Sequence, residues 1–158
     1  MQITMATEPG RPDHPNEDFI AATPEVLVLL DGAGTPPGLE TNCTHSVAWY
    51  VRQLGPALLT QAHQDQSLTE TLAAAITTVT ATHADTCDLS NSGGPSATVI
   101  IARVKGPVVE YLVLADSTLL IREGDRVHAI TDGREAAVGR TYRSAMDSQW
   151  NGTVAHEA

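Results

Sequence analysis

Residues 26–36 read VLVLLDGAGTP, and this stretch decides how the chain is read. The apolar residues from Val26 to Leu30 follow one another without alternation, which predicts a strand buried on both faces. The run stops abruptly at Asp31, with Gly32 and Gly34 just beyond it. An aspartate closing a strand is ordinary turn chemistry, because its carboxylate bonds nearby backbone. It is also what a hard cation needs: an oxygen ligand at a strand end. The neighbouring glycine leaves a carbonyl open and lets a substrate come close.

Upstream, QITMAT at residues 2–7 alternates and predicts a short strand. EPGRPDHPNED follows as a loop, since Pro15 biases His14 away from helix. DFIAAT predicts a second strand before the buried one. Downstream the period changes. Val47, Val51, Leu54 and Leu58 fall at helical spacing, predicting an amphipathic helix over about residues 44–63 that Gly55-Pro56 kinks or splits. Leu68, Leu72, Ile76 and Val79 predict a second helix over about 68–87, with Ser67 and Glu70 as a capping box. From Ser96 strands return as SATVIIARV, VVEYLVLAD, TLLIREG and RVHAIT, with turns at KGP and EGDR. The order is three strands, two helices, then four strands. Helices set between blocks of hairpin-linked strands give an α+β fold with a largely antiparallel sheet. A parallel α/β fold needs strand and helix to alternate throughout.

The chain of 158 residues suffices for one domain with a core, and at 42% hydrophobic it reads as globular. With 19 acidic against 9 basic residues, its net charge of −10 argues against nucleic acid or anionic membrane as partners. No apolar run approaches ~18 residues and no basic-then-apolar leader opens the chain, so a cytoplasmic protein is expected. Cys43 and Cys87 stand far apart without C-x-x-C spacing, which argues against a thiolate zinc site and for two buried free thiols. His45, His63, His83, His128 and His156 show no paired spacing and read as helix-surface or loop residues. Arg134, Arg140 and Arg143 read as a solvated basic patch.

The acidic residues are more telling. Glu17 and Asp18 sit where a loop enters a strand, Asp31 where a buried strand ends, and Asp116 just after the apolar run of LVLADST. A sheet that gathers these strand ends into one cleft suits Mg²⁺ or Mn²⁺, which prefer oxygen ligands. Each of them read alone is equally a turn former or cap.

In sequence order, NED, LLDGAG, GPSATVIIA and YLVLADSTLLIREGDRVHAITDGR resemble the metal-dependent serine/threonine phosphatases of the type 2C (PPM) family. Asp31-Gly32-Ala33-Gly34 is similar to its DG-x-G element, Ser96-Ala97-Thr98 to its G-S/T-T/A strand, Ala115-Asp116-Ser117 to GDS, and Ile130-Thr131-Asp132 to L-T-x-D. The resemblance covers about residues 3–135. It implies a single phosphatase-like domain over 1–158, an antiparallel β-sandwich flanked by helices. It implies hydrolysis of phosphoserine or phosphothreonine in phosphoproteins by a water held between two Mn²⁺ or Mg²⁺ ions. Asp31 bridges the ions in this reading, with Asp18, Glu17 and the Gly32 carbonyl as further metal ligands and Asp116 holding an additional ion. Arg11 is the implied phosphate clamp. His14 is either an acid for the leaving group or a solvated loop histidine.

The chain also departs from that pattern. Asp13 occupies the position where the family's bacterial form carries its arginine, Ala115 and Thr118 replace the glycine and arginine of GDS-R, and TDGR lacks a histidine after Asp132. Beyond Asp132 the acidic residues are Glu135, Asp147 and Glu157, none of them in a DG or DN pair. The resemblance therefore implies an N-terminal portion or truncated member, with exposed sheet edges that invite self-association. The alternative to an enzyme is a catalytically inactive module that keeps the fold as a regulatory or interaction surface.

Overall fold

The computed structural model describes residues 2–34, 41–91, 93–134 and residue 137. Strands β1 (Asp18–Ala22) and β2 (Val26–Ala33) form the first hairpin. Thr23 closes its turn: its hydroxyl accepts from the Val26 amide at 3.0 Å, and its own amide donates to the Val26 carbonyl at 2.8 Å. Helices α1 (Val47–Gln61) and α2 (Leu68–His83) follow. Ser46 caps α1 through the Trp49 amide, and Ser67 with Glu70 forms the expected capping box on α2. Strands β3 (Ser96–Lys105), β4 (Val108–Leu114), β5 (Thr118–Glu123) and β6 (Arg126–Thr131) complete the order. Their turns at Gly106 and Gly124 have φ of 57° and 59°, the left-handed region that glycine enters at no steric cost.

All strand pairs are antiparallel. One sheet runs β1-β2-β3-β4, and β5 with β6 forms a second that meets the first along β4. The helices cover one face of the larger sheet. Val26, Val28 and Leu30 of β2 and Val99 and Ile101 of β3 pack there against Val51, Leu54 and Leu58 of α1, with Ala75 and Val79 of α2 joining the cluster. Each such side chain contributes roughly 1.5–3 kcal/mol on burial.

Three expectations are corrected. Residues 2–7 join no ladder; Thr7 is instead tied to the loop by the Asn16 side chain, which donates to its hydroxyl at 2.9 Å. Alternation alone supplies no partner, and among the described residues β1 remains an edge of the sheet. Burial of β2 is complete only on the helix side, with Leu27 and Leu29 half-buried on the other. Helix α1 is not split at Gly55-Pro56. Pro56 is exposed, and the carbonyl it leaves unbonded is that of exposed Arg52. Gly55 is instead a packing position, because a Cβ there would fall inside the ring of Phe19, which docks β1 on α1.

At the far end of the sheet, Arg103 is buried to 4% exposure. Its guanidinium donates to the carbonyls of Ala62, Gln64 and Gln66 at 3.0, 3.1 and 2.8 Å and pairs with Glu110 at 2.6 Å. It thus satisfies the carbonyls left over where α1 ends and the chain turns into α2.

Candidate functional site

Asp18 opens β1 and stands directly opposite Asp31 of β2, whose other neighbour in register is Thr98 of β3. Alternation along β2 puts Asp31 on the face away from the helices, with Leu29. Asn16 fixes the entry to β1, its side-chain oxygen accepting from the Asp18 amide at 2.9 Å. Asp116 arrives from β4 through a sharp turn in which Ala115 has φ of 66°. The Ala115 amide donates to Asp132 at 3.4 Å, which steadies that turn. Beside this junction the hydroxyls of Thr98 and Ser117 hydrogen-bond to each other.

Electrostatics confirms the convergence. The Asp31 carboxyl is raised from its ordinary value first by burial, then by the charges of Asp18 and Asp116 and a hydrogen bond with Asp18. Two carboxylates, Asp18 at the start of β1 and Asp116 in the turn after β4, therefore press on Asp31, and β2 runs two residues past it, pairing Gly32 and Ala33 with Ala97 and Ser96.

Gly32 is glycine for want of space. Its amide donates to the Glu17 carbonyl at 3.1 Å, and a Cβ would overlap both that oxygen and a methyl of Val47 at the start of α1. This close approach locks Glu17-Asp18 against Asp31-Gly32. Arg11, His14, Glu17, Asp18, Asp31 and Gly32 all line one open cleft of 340 Å³. Of the predicted site residues, five line this cleft, and Asp116 acts on Asp31 from the neighbouring strand end.

Asp132 has another role. Arg134 grips it with two contacts of 2.8 and 2.6 Å, and these hydrogen bonds hold its carboxyl well below the usual carboxylate range. Arg134 is therefore an ion-pair partner of Asp132, and its side chain stays solvated as expected. Arg140, Arg143, Glu135, Asp147 and Glu157 lie outside the described residues.

A second cluster escapes the sequence reading. Cys43, His45, His83 and Cys87 bring one ligand atom each within 4.8 Å of one another. Both cysteines are half-buried and free, and His83 is a 6%-exposed core residue rather than a surface one. Burial raises the Cys43 thiol, and its hydrogen bond with Cys87 raises it further. Burial also pushes against ionisation of Cys87, but hydrogen bonds with Cys43, His45 and His83 prevail and bring it down to about 5. The signal in the sequence was C-x-H before α1 and H-x-x-x-C at the end of α2. Those pairs combine only once the two helices pack side by side.

No family model matches the chain, and comparison with curated proteins finds no relative. Among solved structures, the serine/threonine phosphatase PstP/Ppp of Mycobacterium tuberculosis superposes with a TM-score of 0.54 at 20% identity, covering 79% of this chain. The fold is type 2C phosphatase-like. At that identity the likeness is one of architecture, two helices on antiparallel sheets. The chain spans about half of that structure, 51% of its length. Among the described residues no helix is long and apolar enough to cross a membrane.

Proposed function

We propose that the cleft around Asp31 binds divalent metal and hydrolyses phosphoserine or phosphothreonine esters of cytoplasmic phosphoproteins. The observation that carries this reading is the register pair Asp18–Asp31, with the negative charge of Asp116 bearing on the same carboxyl. Carboxylates crowded until one gains affinity for a proton are equally primed for a cation, which replaces the proton and removes the repulsion. The donors are all oxygens, which suits Mn²⁺ or Mg²⁺ better than softer metals.

Asp18 and Asp31 would hold the ions, with Glu17 and the Gly32 carbonyl beside them and Asp116 serving an additional one. Two such ions supply Lewis acidity and a water acidified enough to attack phosphorus. The chain's own part is binding and orientation. Arg11, on the same cleft, offers a planar guanidinium that matches two phosphate oxygens. His14 lines the same cleft, and in this reading would be the donor for the departing serine or threonine oxygen.

One observation favours a second reading, a non-catalytic module. Among the described residues, the group whose ligand atoms gather within 4.8 Å is the cysteine–histidine set, not the carboxylates. The experiment that separates the two readings is turnover of a phosphoserine peptide with Mn²⁺ added. The enzyme reading expects metal-dependent release of phosphate that Asp31→Asn abolishes. Absence of turnover at every Mn²⁺ concentration, with the metal still bound, leaves the module.

A further inference from the structure

Cys43 and His45 lie in the loop that enters α1, while His83 ends α2 and Cys87 follows one turn later. The Cys43 sulfur is 3.7 Å from Nδ1 of His45 and 3.8 Å from Nδ1 of His83, and the Cys87 sulfur is 3.3 Å from Nδ1 of His45. One imidazole nitrogen has a single proton or a single lone pair in the ring plane, so His45 cannot bond both sulfurs well at once. A cation at the centre satisfies all four groups together. Tetrahedral zinc, with Zn–S near ~2.3 Å and Zn–N near ~2.1 Å, separates sulfur from nitrogen by roughly 3.6 Å. The three observed separations bracket that value.

We propose that Cys43, His45, His83 and Cys87 form a closed, four-ligand structural zinc site. Two sulfurs and two imidazoles are borderline-soft donors, which select zinc over the Mn²⁺ or Mg²⁺ that suits the carboxylate cleft. The sulfurs bind as thiolates, and any thiol proton is released to water. The surroundings are built to hold the ligands in place. Trp49 stacks on the His45 ring with centroids 3.9 Å apart, and the Asp88 amide donates to the Asn42 carbonyl at 3.0 Å, tying together the two ligand-bearing loops. Four protein ligands leave no open position, so the site is structural and not catalytic. Its consequence is mechanical: the ion fastens the entry of α1 to the exit of α2. Val47, one residue beyond the Ser46 cap of α1, is the residue packed against Gly32.

The test is metal content of the purified full chain by mass spectrometry. We expect one zinc per chain, retained in Asp31→Asn and lost in the Cys43→Ser/Cys87→Ser double variant. A second measurement needs no variant. Removing the metal with a chelator under reducing conditions should lower the melting temperature. Adding Co²⁺ should then restore it with the intense visible bands and thiolate charge transfer of tetrahedral cobalt. The proposal is overturned if reduced wild-type protein takes up neither zinc nor cobalt. It is overturned equally by a Cys43–Cys87 disulfide that yields no metal-binding protein on reduction, or by zinc that survives in the double variant and disappears in Asp31→Asn.

Discussion

The two clusters of this molecule differ in how they are assembled. The carboxylate cleft is built by strand register: Asp18 and Asp31 face each other because their hairpin pairs them, and Thr98 flanks them on β3. The cysteine–histidine cluster is built by tertiary packing, from a loop before α1 and the end of α2. The first offers hard oxygens at an open sheet end. The second offers sulfur and nitrogen in a half-buried corner. Their donor sets suit different metals, so each can be perturbed without the other.

The largest separation should come from Asp31→Asn. It is expected to reduce Mn²⁺-dependent phosphoester turnover by about 100-fold or more, since the proposed metal-bridging carboxylate is lost, while leaving the zinc content unchanged. Loss of both metals together would mean that the clusters are one cooperative unit.

Arg103→Ala should come next. Arg103 lies at the opposite end of β3 from Thr98, and its removal takes a donor from the Ala62 and Gln66 carbonyls and leaves Glu110 without its ion pair, while the Gln64 carbonyl keeps the Gln66 amide. A loss of about 3 kcal/mol in urea unfolding is expected, with both metals still bound by the folded protein. Gly32→Ala should cost about 1–3 kcal/mol, because the new methyl meets the Glu17 backbone and Val47. Gly34→Ala, two residues on, has nothing within 4 Å of the added Cβ and should be nearly neutral. Equal effects at the two glycines would show that close packing does not shape the cleft.

The smallest effect is on pH dependence. The folded Asp31 carboxyl is raised, by burial and then by its acidic neighbours. Its contribution to stability is therefore present below the unfolded carboxylate value and lost as pH rises through the folded one. Metal-free Asp31→Asn should melt slightly higher than wild type at pH 7, and the gap should close below about pH 4. Adding Mn²⁺ should invert the order at pH 7 by stabilising only the wild type.

A strand running into Asp31 was legible in the sequence, because a continuous apolar run announces one; that it pairs on through Gly32 and Ala33 was not, since register with β3 decides where it ends. The strands from Ser96 to Thr131, the α2 capping box and the glycine turns were legible for the same reason: local chemistry decides them. What escaped depended on distant partners. Alternation over residues 2–7 carried no information about whether a neighbouring strand exists. The Gly55-Pro56 pair looked like a break until Phe19 was seen to need the glycine's space. Arg103 gave no sign of the carbonyls it gathers, which lie 37 to 41 residues away in sequence. Cys43 and Cys87 lacked C-x-x-C spacing, and the C-x-H and H-x-x-x-C pairs that hold them meet only through the way α1 packs on α2.

Whether the paired carboxylates of β1 and β2 hold a divalent cation is read out by titrating Mn²⁺ into wild type and Asp31→Asn while following free Mn²⁺ by electron paramagnetic resonance. Saturable binding to wild type is expected, weakened at least about tenfold by the substitution. Identical isotherms for the two proteins, or no binding by the folded wild type, would rule out a cation site at Asp31.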